Sequence, residues 1–318
     1  MTTPQYDVLV VGELNVDIIL NQIDGFPEIG KEKLAQKMTT TLGSSSAILA
    51  SNLSSLGASV AFLGKIGADF YGDIILRSLQ AHGVDTQFVR RDEGVETGAT
   101  LVLNYGEDRA MITYPGAMEQ LTIDDITEEA LRQARHLHFS SYFLQPGLRP
   151  AVPTLFRRAH ARGLTTSLDP QWDPQERWEF DAHEILPHVD VFLPNEKELK
   201  YLTRTPNMQE ALETLGEVAH CVVVKQGNQG SYVWQDHRLH HHPPFLNEAV
   251  VDAIGAGDSF NAGFIRRFVQ GRSLEECQTY GNLTGALSTT QAGGTAAFQD
   301  TDRLIELAQS KFNYALTL

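Results

Sequence analysis

The regular alternation of short, continuous apolar runs with helical patterns limits the fold more than any other feature. Runs at about 6–11, 59–64, 86–89, 136–139, 164–168, 190–193 and 221–224 read as strands, and a hairpin follows near 230–241. Helical periodicity falls near 45–56, 71–82, 123–134, 148–161, 195–202, 208–217, 257–270, 274–291 and 301–311. Strands that are apolar throughout, rather than at every second residue, need cover on both faces. That requirement predicts a mostly parallel sheet between two helical layers. At 318 residues the length alone fits one large α/β domain with an appendage as well as it fits two domains, and the pattern is read as one domain spanning 1–318.

Two segments break the alternation. Residues of about 14–40 and 97–114 contain β-type runs with polar residues interleaved, as in Thr97-Gly98-Ala99-Thr100-Leu101-Val102-Leu103 and Ala110-Met111-Ile112-Thr113-Tyr114. Tyr105-Gly106-Glu107-Asp108 between them reads as a hairpin turn. Alternating strands leave one apolar face that must cover something, which predicts a small β-sheet lid over the main domain. An edge extension of the main sheet is the other arrangement this pattern allows.

The net charge of −15 and pI of about 5.1 argue against nucleic acid and anionic membrane as partners. A small phosphate ligand remains compatible, because backbone N–H groups can bind it locally. Cys221 and Cys277 lie in no metal-ligand spacing and read as reduced thiols. With no signal-type N-terminus and no apolar run of membrane length, the expectation is a soluble cytoplasmic protein.

The segment Val251-Asp252-Ala253-Ile254-Gly255-Ala256-Gly257-Asp258-Ser259-Phe260-Asn261-Ala262-Gly263-Phe264 is the most informative chemically. Small residues at 255–257 precede a long helical pattern, so an anion could approach the unpaired N–H groups of the first turn. Asp258 in that turn is either a helix cap or a base placed beside an anion site. Phosphoryl transfer uses such a pairing of anion cradle and base. No Gly-Lys-Ser/Thr follows the glycines, so this is not a Walker A loop.

The segment resembles the C-terminal signature of the ribokinase-like (PfkB) carbohydrate kinases, and the resemblance extends along nearly the whole chain. Gly12-Glu13-Leu14-Asn15-Val16-Asp17 is similar to that family's N-terminal substrate strand, and Leu63 to Gly72 to its Gly-x-x-Gly-x-Asp-x-x-Gly segment. Asp169-Pro170, Asn195-Glu196-Lys197-Glu198 and Lys225 to Gly230 match three further landmarks. The resemblance implies a Rossmann-like three-layer sandwich with a β lid. It also implies an ATP- and Mg²⁺-dependent kinase acting on a sugar-like acceptor, with Asp258 as general base and Gly255, Ala256 and Gly257 as the anion hole. It leaves open a monovalent cation such as K⁺ and a homodimer formed through the lid.

Further residues take roles by the same resemblance. Asn195 and Glu198 are spaced as a capping pair, and the family's Asn-x-x-Glu positions Mg²⁺, with Glu198 acting through water. Lys225, Gly227 and Gly230 fall on the nucleotide side, where Asn282 is a candidate adenine contact. Asn15 and Asp17 share one strand face by period two; in the family this Asp holds acceptor hydroxyls. The stretch Gly43-Ser44-Ser45-Ser46-Ala47-Ile48 departs from the pattern, with Ser44 at the second glycine and Ile48 at the usual Asn. Isoleucine cannot hydrogen-bond a sugar, which implies an acceptor other than ribose, less hydroxylated there or carrying an apolar or aromatic part. A nucleoside kinase of this family and a catalytically silent sugar- or nucleotide-binding regulator are the alternatives. His240-His241-His242 reads as a loop or edge strand, and His183-Glu184 with His188 has the wrong spacing for a zinc site. Trp172 and Trp178 read either as packing or as a border of the nucleotide cleft.

Overall fold

The computed structural model describes residues 4–105 and 108–318. The large sheet has nine strands in the order β13-β12-β11-β10-β9-β8-β1-β4-β5. Its parallel members are β1 (Tyr6–Val11), β4 (Val60–Gly67), β5 (Asp85–Asp92), β8 (Ala134–Ser140), β9 (Thr165–Asp169), β10 (Val191–Phe192) and β11 (Val222–Lys225). The hairpin β12 (Ser231–Gln235) and β13 (Arg238–His242) closes one edge antiparallel. The chain runs outward from the central β1 to β4 and β5 on one side and to β8–β11 on the other. In open sheets of this kind ligands lie beyond the carboxyl ends of the strands near such a reversal.

Helices cover both faces. On one side lie α1 (Ser45–Ser55), α2 (Phe70–Ala81), α8 (Ala256–Val269), α9 (Leu274–Ser288) and α10 (Thr301–Phe312). On the other lie α3 (Glu128–Arg132), α4 (Val152–Ala161), α5 (Ala182–Ile185), α6 (Glu196–Thr203) and α7 (Met208–Gly216). Strand β1 shows why a continuous apolar run is required. Val8 and Val10 enter one core while Leu9 and Val11 enter the other, and all four are fully buried. Among the described residues no helix is long and apolar enough to cross a membrane.

The four strands β2 (Asn15–Ile23), β3 (Ala35–Leu42), β6 (Gly98–Tyr105) and β7 (Asp108–Tyr114) form a separate sheet in the order β3-β2-β6-β7. The expected small sheet is therefore present, and it is no edge extension. Its turn residues Gly106 and Glu107 lie outside the described residues. Two helical readings need correction. The pattern at 123–134 is a 3₁₀ turn, Ile123–Asp125, followed by the single-turn α3. Thr122 and Thr127 each start a new cap there, and Ala134 already belongs to β8. The pattern at 148–161 opens as a 3₁₀ turn, Arg149–Ala151, before α4.

One polar strip crosses the buried sheet. His136 Nδ1 meets Thr165 Oγ1 at 2.8 Å, and the Ser167 hydroxyl lies 2.7 Å from both His136 Nε2 and His138 Nδ1. Desolvation pushes both imidazoles down to about 3, with each other's charge and that of Lys225 as the next causes for His136 and His138 respectively. Both rings are thus neutral in the folded chain but protonate near 6.5 when unfolded. Their contribution to stability is complete above pH 6.5 and is lost as pH falls from there toward 3. We expect wild type to lose on the order of 1 kcal/mol per ring, relative to a His136→Asn/His138→Asn variant, between pH 7.5 and 5.5. Urea unfolding at the two pH values measures it; an unchanged difference would refute the assignment.

Candidate active site

Helix α8 begins at Ala256 because Gly255 holds φ at +73°, a left-handed conformation, with Gly294 Cα only 2.6 Å from where a β-carbon would stand. Asp258 follows in the first turn and is 8% exposed. Its Oδ1 accepts a short hydrogen bond from the Ser45 hydroxyl and one from Gln171 Nε2 at 3.0 Å. Gln171 Nε2 also reaches Ser45 Oγ at 2.6 Å. Among the described residues Oδ2 of Asp258 has no hydrogen-bond partner. Burial raises this carboxyl to about 7; the Ser45 hydrogen bond opposes the shift, and the charge of Asp169 adds to it. The Ala256 N–H makes a long 3.3 Å bond to the Ala253 carbonyl.

The ends of β9, β10 and β11 bring further acids beside it. Asp169 is fully buried; its Oδ2 accepts from Lys225 Nζ at 2.6 Å, from Gln171 Nε2 at 3.1 Å and from Asn261 Nδ2 at a short distance. Asn195 and Glu198 form a complete capping box: the Asn195 N–H donates to Glu198 Oε2 at 2.8 Å, and the Glu198 N–H donates to Asn195 Oδ1 at 2.9 Å. The capping geometry suggested by their spacing is therefore real. Glu198 nevertheless faces the cleft, and burial, followed by the charge of Asp169, raises its carboxyl well above the ordinary range.

A cavity of about 620 Å³ joins these groups. Of the positions singled out in the sequence, Asp17, Asn195, Glu198, Lys225, Gly227, Gly230, Asn282 and all of Gly255 to Asp258 line it. Asn15, Gly43, Ser44 and Ile48 do not line it. Asn15 Nδ2 donates to Thr100 Oγ1 at 2.8 Å and to Asp17 Oδ1 at 3.3 Å, so it braces the acid from behind. Gly43 lies against the Asp17 carboxylate, which leaves no room for a side chain. Ser44 caps α1. Ile48 is buried against Gly255 and Gly294, supporting the turn rather than facing a ligand. Asn282 Nδ2 donates to the Pro243 carbonyl at 3.2 Å and so also pins the loop after β13. Trp178 is buried and stacks on Tyr201 at 4.9 Å, with Trp172 edge-on to both. Neither tryptophan lines this cavity; Trp178 packs in the core, whereas Trp172 is exposed beside it. The three histidines belong to the edge strand β13, with no metal cluster among the described residues.

A second cavity, of about 940 Å³, lies between the small sheet and the loops at 250–254 and 292–293. Strand pairing arranges the sheet's cavity face in three rows: Thr41-Asp17-Thr100-Thr113, then Thr39-Ile19-Val102-Met111, then Lys37-Asn21-Asn104-Arg109. The rows pass from polar to apolar to cationic. Arg109 lines both cavities, and its charge partly offsets the rise of Asp17 to about 6 that burial causes. The sequence reading missed Ser45, Gln171, Lys37 and Arg109. Only strand alternation around Asn21 and Asn104 carried a trace of the last two.

A parallel sheet with an acid-bearing helix start at its carboxyl edge, facing a small sheet across a cleft, defines the architecture of small-molecule kinases of the ribokinase type. A model of the pfkB family carbohydrate kinases matches residues 5–301, and the chain belongs to that family: it is a carbohydrate kinase, a phosphotransferase with an alcohol acceptor. It is 31% identical over 293 residues to an ATP-dependent ribose-1-phosphate kinase of Halopiger xanaduensis, covering 91% of this chain and 94% of that protein. Its fold is similar to an adenosine kinase from Sinorhizobium meliloti, with TM-score 0.83, 27% identity, and 94% and 99% of the two chains covered. It is likewise similar to Arabidopsis thaliana ribokinase complexed with ribose and ATP, with TM-score 0.81, 25% identity, and 96% and 99% covered.

Proposed function

We propose that the protein transfers the γ-phosphoryl group of ATP to a hydroxyl of a sugar-like acceptor, with Asp258 as the general base. The observation that carries this reading is the Asp258 carboxylate itself. One oxygen is anchored by Ser45 and Gln171, the other is free, and the group sits at a helix start in the same cavity as Asp17. Gly255, Ala256 and Gly257 would turn their N–H groups to the transferring phosphoryl oxygens; the long Ala256 bond is one that an anion could displace. Asp17, braced by Asn15 and seated on Gly43 beside Ser44, would hold acceptor hydroxyls. Asn195, Lys225, Gly227, Gly230 and Asn282 would border ATP, and the small sheet would act as the lid that excludes water. The family's kinases use ATP.

Magnesium fits this site in one way only. Among the described residues no three acids or imidazoles gather into a cage, whereas Glu198 faces the cleft in a cluster of acids with Lys225 as counter-ion. Mg²⁺ retains water and binds mainly through phosphates, so Glu198 and Asn195 would hold its hydration shell, and its chemistry there is charge neutralisation. Glu198→Gln is expected to raise the Mg²⁺ concentration for half-maximal rate several-fold. A variant that loses only thermal stability, as the capping box alone would dictate, refutes that role.

Asp258→Asn should lower kcat on the order of 10²–10⁴, the span of lost general-base catalysis, with the KM for ATP little changed. The base works only when ionised, so wild-type kcat/KM should fall about tenfold per pH unit below a limb near pH 7, set by the raised carboxyl. A limb at pH 4, or a variant keeping a third of wild-type kcat, removes Asp258 from the role.

The cationic row favours an acceptor that carries an anion. Lys37 and Arg109 face a cavity whose other charged residue, Asp252, is engaged by the N–H groups of Ile254 and Gly293 at 2.9 and 3.0 Å. Asp17 and Arg109 stand two rows apart, about 14 Å along the strands, but the Arg109 side chain reaches back to the cavity of Asp17 and its charge acts on that carboxyl. A sugar with its diol on Asp17 and a phosphate toward Arg109 suits this reach, in keeping with the ribose-1-phosphate acceptor named for the Halopiger relative. An ADP-release panel of D-ribose, D-ribose 1-phosphate and adenosine tests it. The expected result is highest kcat/KM for the phosphorylated sugar, with Arg109→Met raising its KM at least about tenfold and leaving the neutral acceptors unchanged. Preference for adenosine would instead assign the middle apolar row to a base.

A further inference from the structure

We propose that Glu13, a buried acid just beyond β1, is a positioning residue of the transfer site: it fixes the Ser44–Ser46 turn that delivers Ser45 to Asp258. The inference rests on the reading of Asp258 as the base. Glu13 is 2% exposed. Its Oε1 accepts from Ser44 Oγ at 3.1 Å and from the Ser46 N–H at 3.2 Å, and its Oε2 accepts a short hydrogen bond from the Ser46 hydroxyl. The Ser44 hydroxyl has one proton, shared between Oε1 and the nearer Glu13 carbonyl at 2.6 Å. Every group aimed at this carboxylate is a donor, so the ionised acid satisfies all of them, and a neutral amide would turn an N–H toward some of them.

Such an arrangement is costly to keep. Burial raises the Glu13 carboxyl, and the serine hydrogen bonds oppose that rise. Two features show what the cost secures. First, Ser44 holds φ at +69°, a conformation that a residue with a β-carbon keeps only when its surroundings impose it. Glu13 imposes it by binding both the Ser44 and the Ser46 side chains. Second, the strand ends leave the turn no other place to sit. A β-carbon on Gly12 would overlap the Ser46 side chain, and Ser46 Oγ meets Ser140 Oγ at 2.7 Å at the end of β8.

Helix α1 is held to α8 a second time, where Asn52 Nδ2 donates to Ser259 Oγ at 2.9 Å and to the Gly294 carbonyl at 2.9 Å. Between these two anchors Ser45 has one place to put its hydroxyl, on Asp258 Oδ1. With that oxygen engaged, Oδ2 is the one left to take the acceptor proton. Glu13 does not line the cavity and makes no hydrogen bond to Asp258; its charge adds to the rise of the Asp258 carboxyl, and its hydrogen bonds reach Asp258 by way of the serine turn.

The test is a double-mutant cycle on kcat, with whichever of D-ribose, D-ribose 1-phosphate or adenosine the wild type phosphorylates. Ser45→Ala and Glu13→Gln should each lower kcat about tenfold while the KM for ATP stays within about twofold. The double variant should be no more than about threefold below either single one, because both changes remove the same constraint. Losses that multiply, or a Glu13→Gln enzyme that keeps wild-type kcat and only melts earlier, overturn the proposal. Should Glu13→Gln fail to fold, Ser46→Ala takes its place in the cycle, since it removes the short contact and keeps the acid. Asp258→Asn separates the two readings: if that variant stays active while the Glu13–Ser45 coupling holds, the base assignment fails and the positioning of Ser45 stands.

Discussion

The active cleft is organised around carboxylates that have been taken out of water. Asp169, Glu198 and Asp258 crowd together at the ends of the parallel strands, and Lys225 is the cation among them, bound to Asp169 at 2.6 Å. Each acid raises the free energy of its neighbours' ionised forms. The cluster persists because Gln171, Asn261, Asn195 and Ser45 aim donors at it. Such crowding opposes the entry of further negative charge into the cleft unless a counter-charge comes with it.

The turn at Gly255 depends on that organisation as much as it serves it. Gly255 and Gly294 approach too closely for side chains, and Ile48 fills the space behind them. Helix α1 therefore touches the helix start of α8 from below while its first residue, Ser45, touches Asp258 from the side. Movement of α1 relative to α8 would disturb the glycine turn and the acid together. The small sheet packs against α2 through β2 and β3, and its far end opens onto the larger cavity. Its cavity face changes along its length, from a polar row at Asp17 through an apolar row to the cationic row of Lys37 and Arg109.

Much of the main sheet was legible, because a strand buried on both faces must be apolar at every position and few other structures ask for that. The split of 123–134 was not, since Thr122 and Thr127 look like ordinary polar positions until both are seen to cap. Asp258 was legible from the glycines before it and from its family signature. Ser45 and Gln171 were not, because they reach Asp258 from 213 and 87 residues away. The resemblance sets Ile48 where the family has an Asn beside the acceptor; in the fold its side chain lies against Gly255 and Gly294. Trp178 could have bordered a cleft or filled a core, and its burial among Phe143, Trp172 and Tyr201 places it in packing.

The sequence by itself determined which segments are strands, that the sheet needs helices on both faces, and that a helix opens at a glycine turn followed by an acid. These follow from local periodicity and from backbone sterics, which neighbouring residues carry. Tertiary structure alone decided which oxygen of Asp258 is anchored, that Glu13 holds the serine turn, and that Lys37 and Arg109 share a row with Asn21 and Asn104. Those facts rest on hydrogen bonds and strand registers between segments far apart in the chain. Their energies depend on burial and distance, quantities that exist only once the chain has folded.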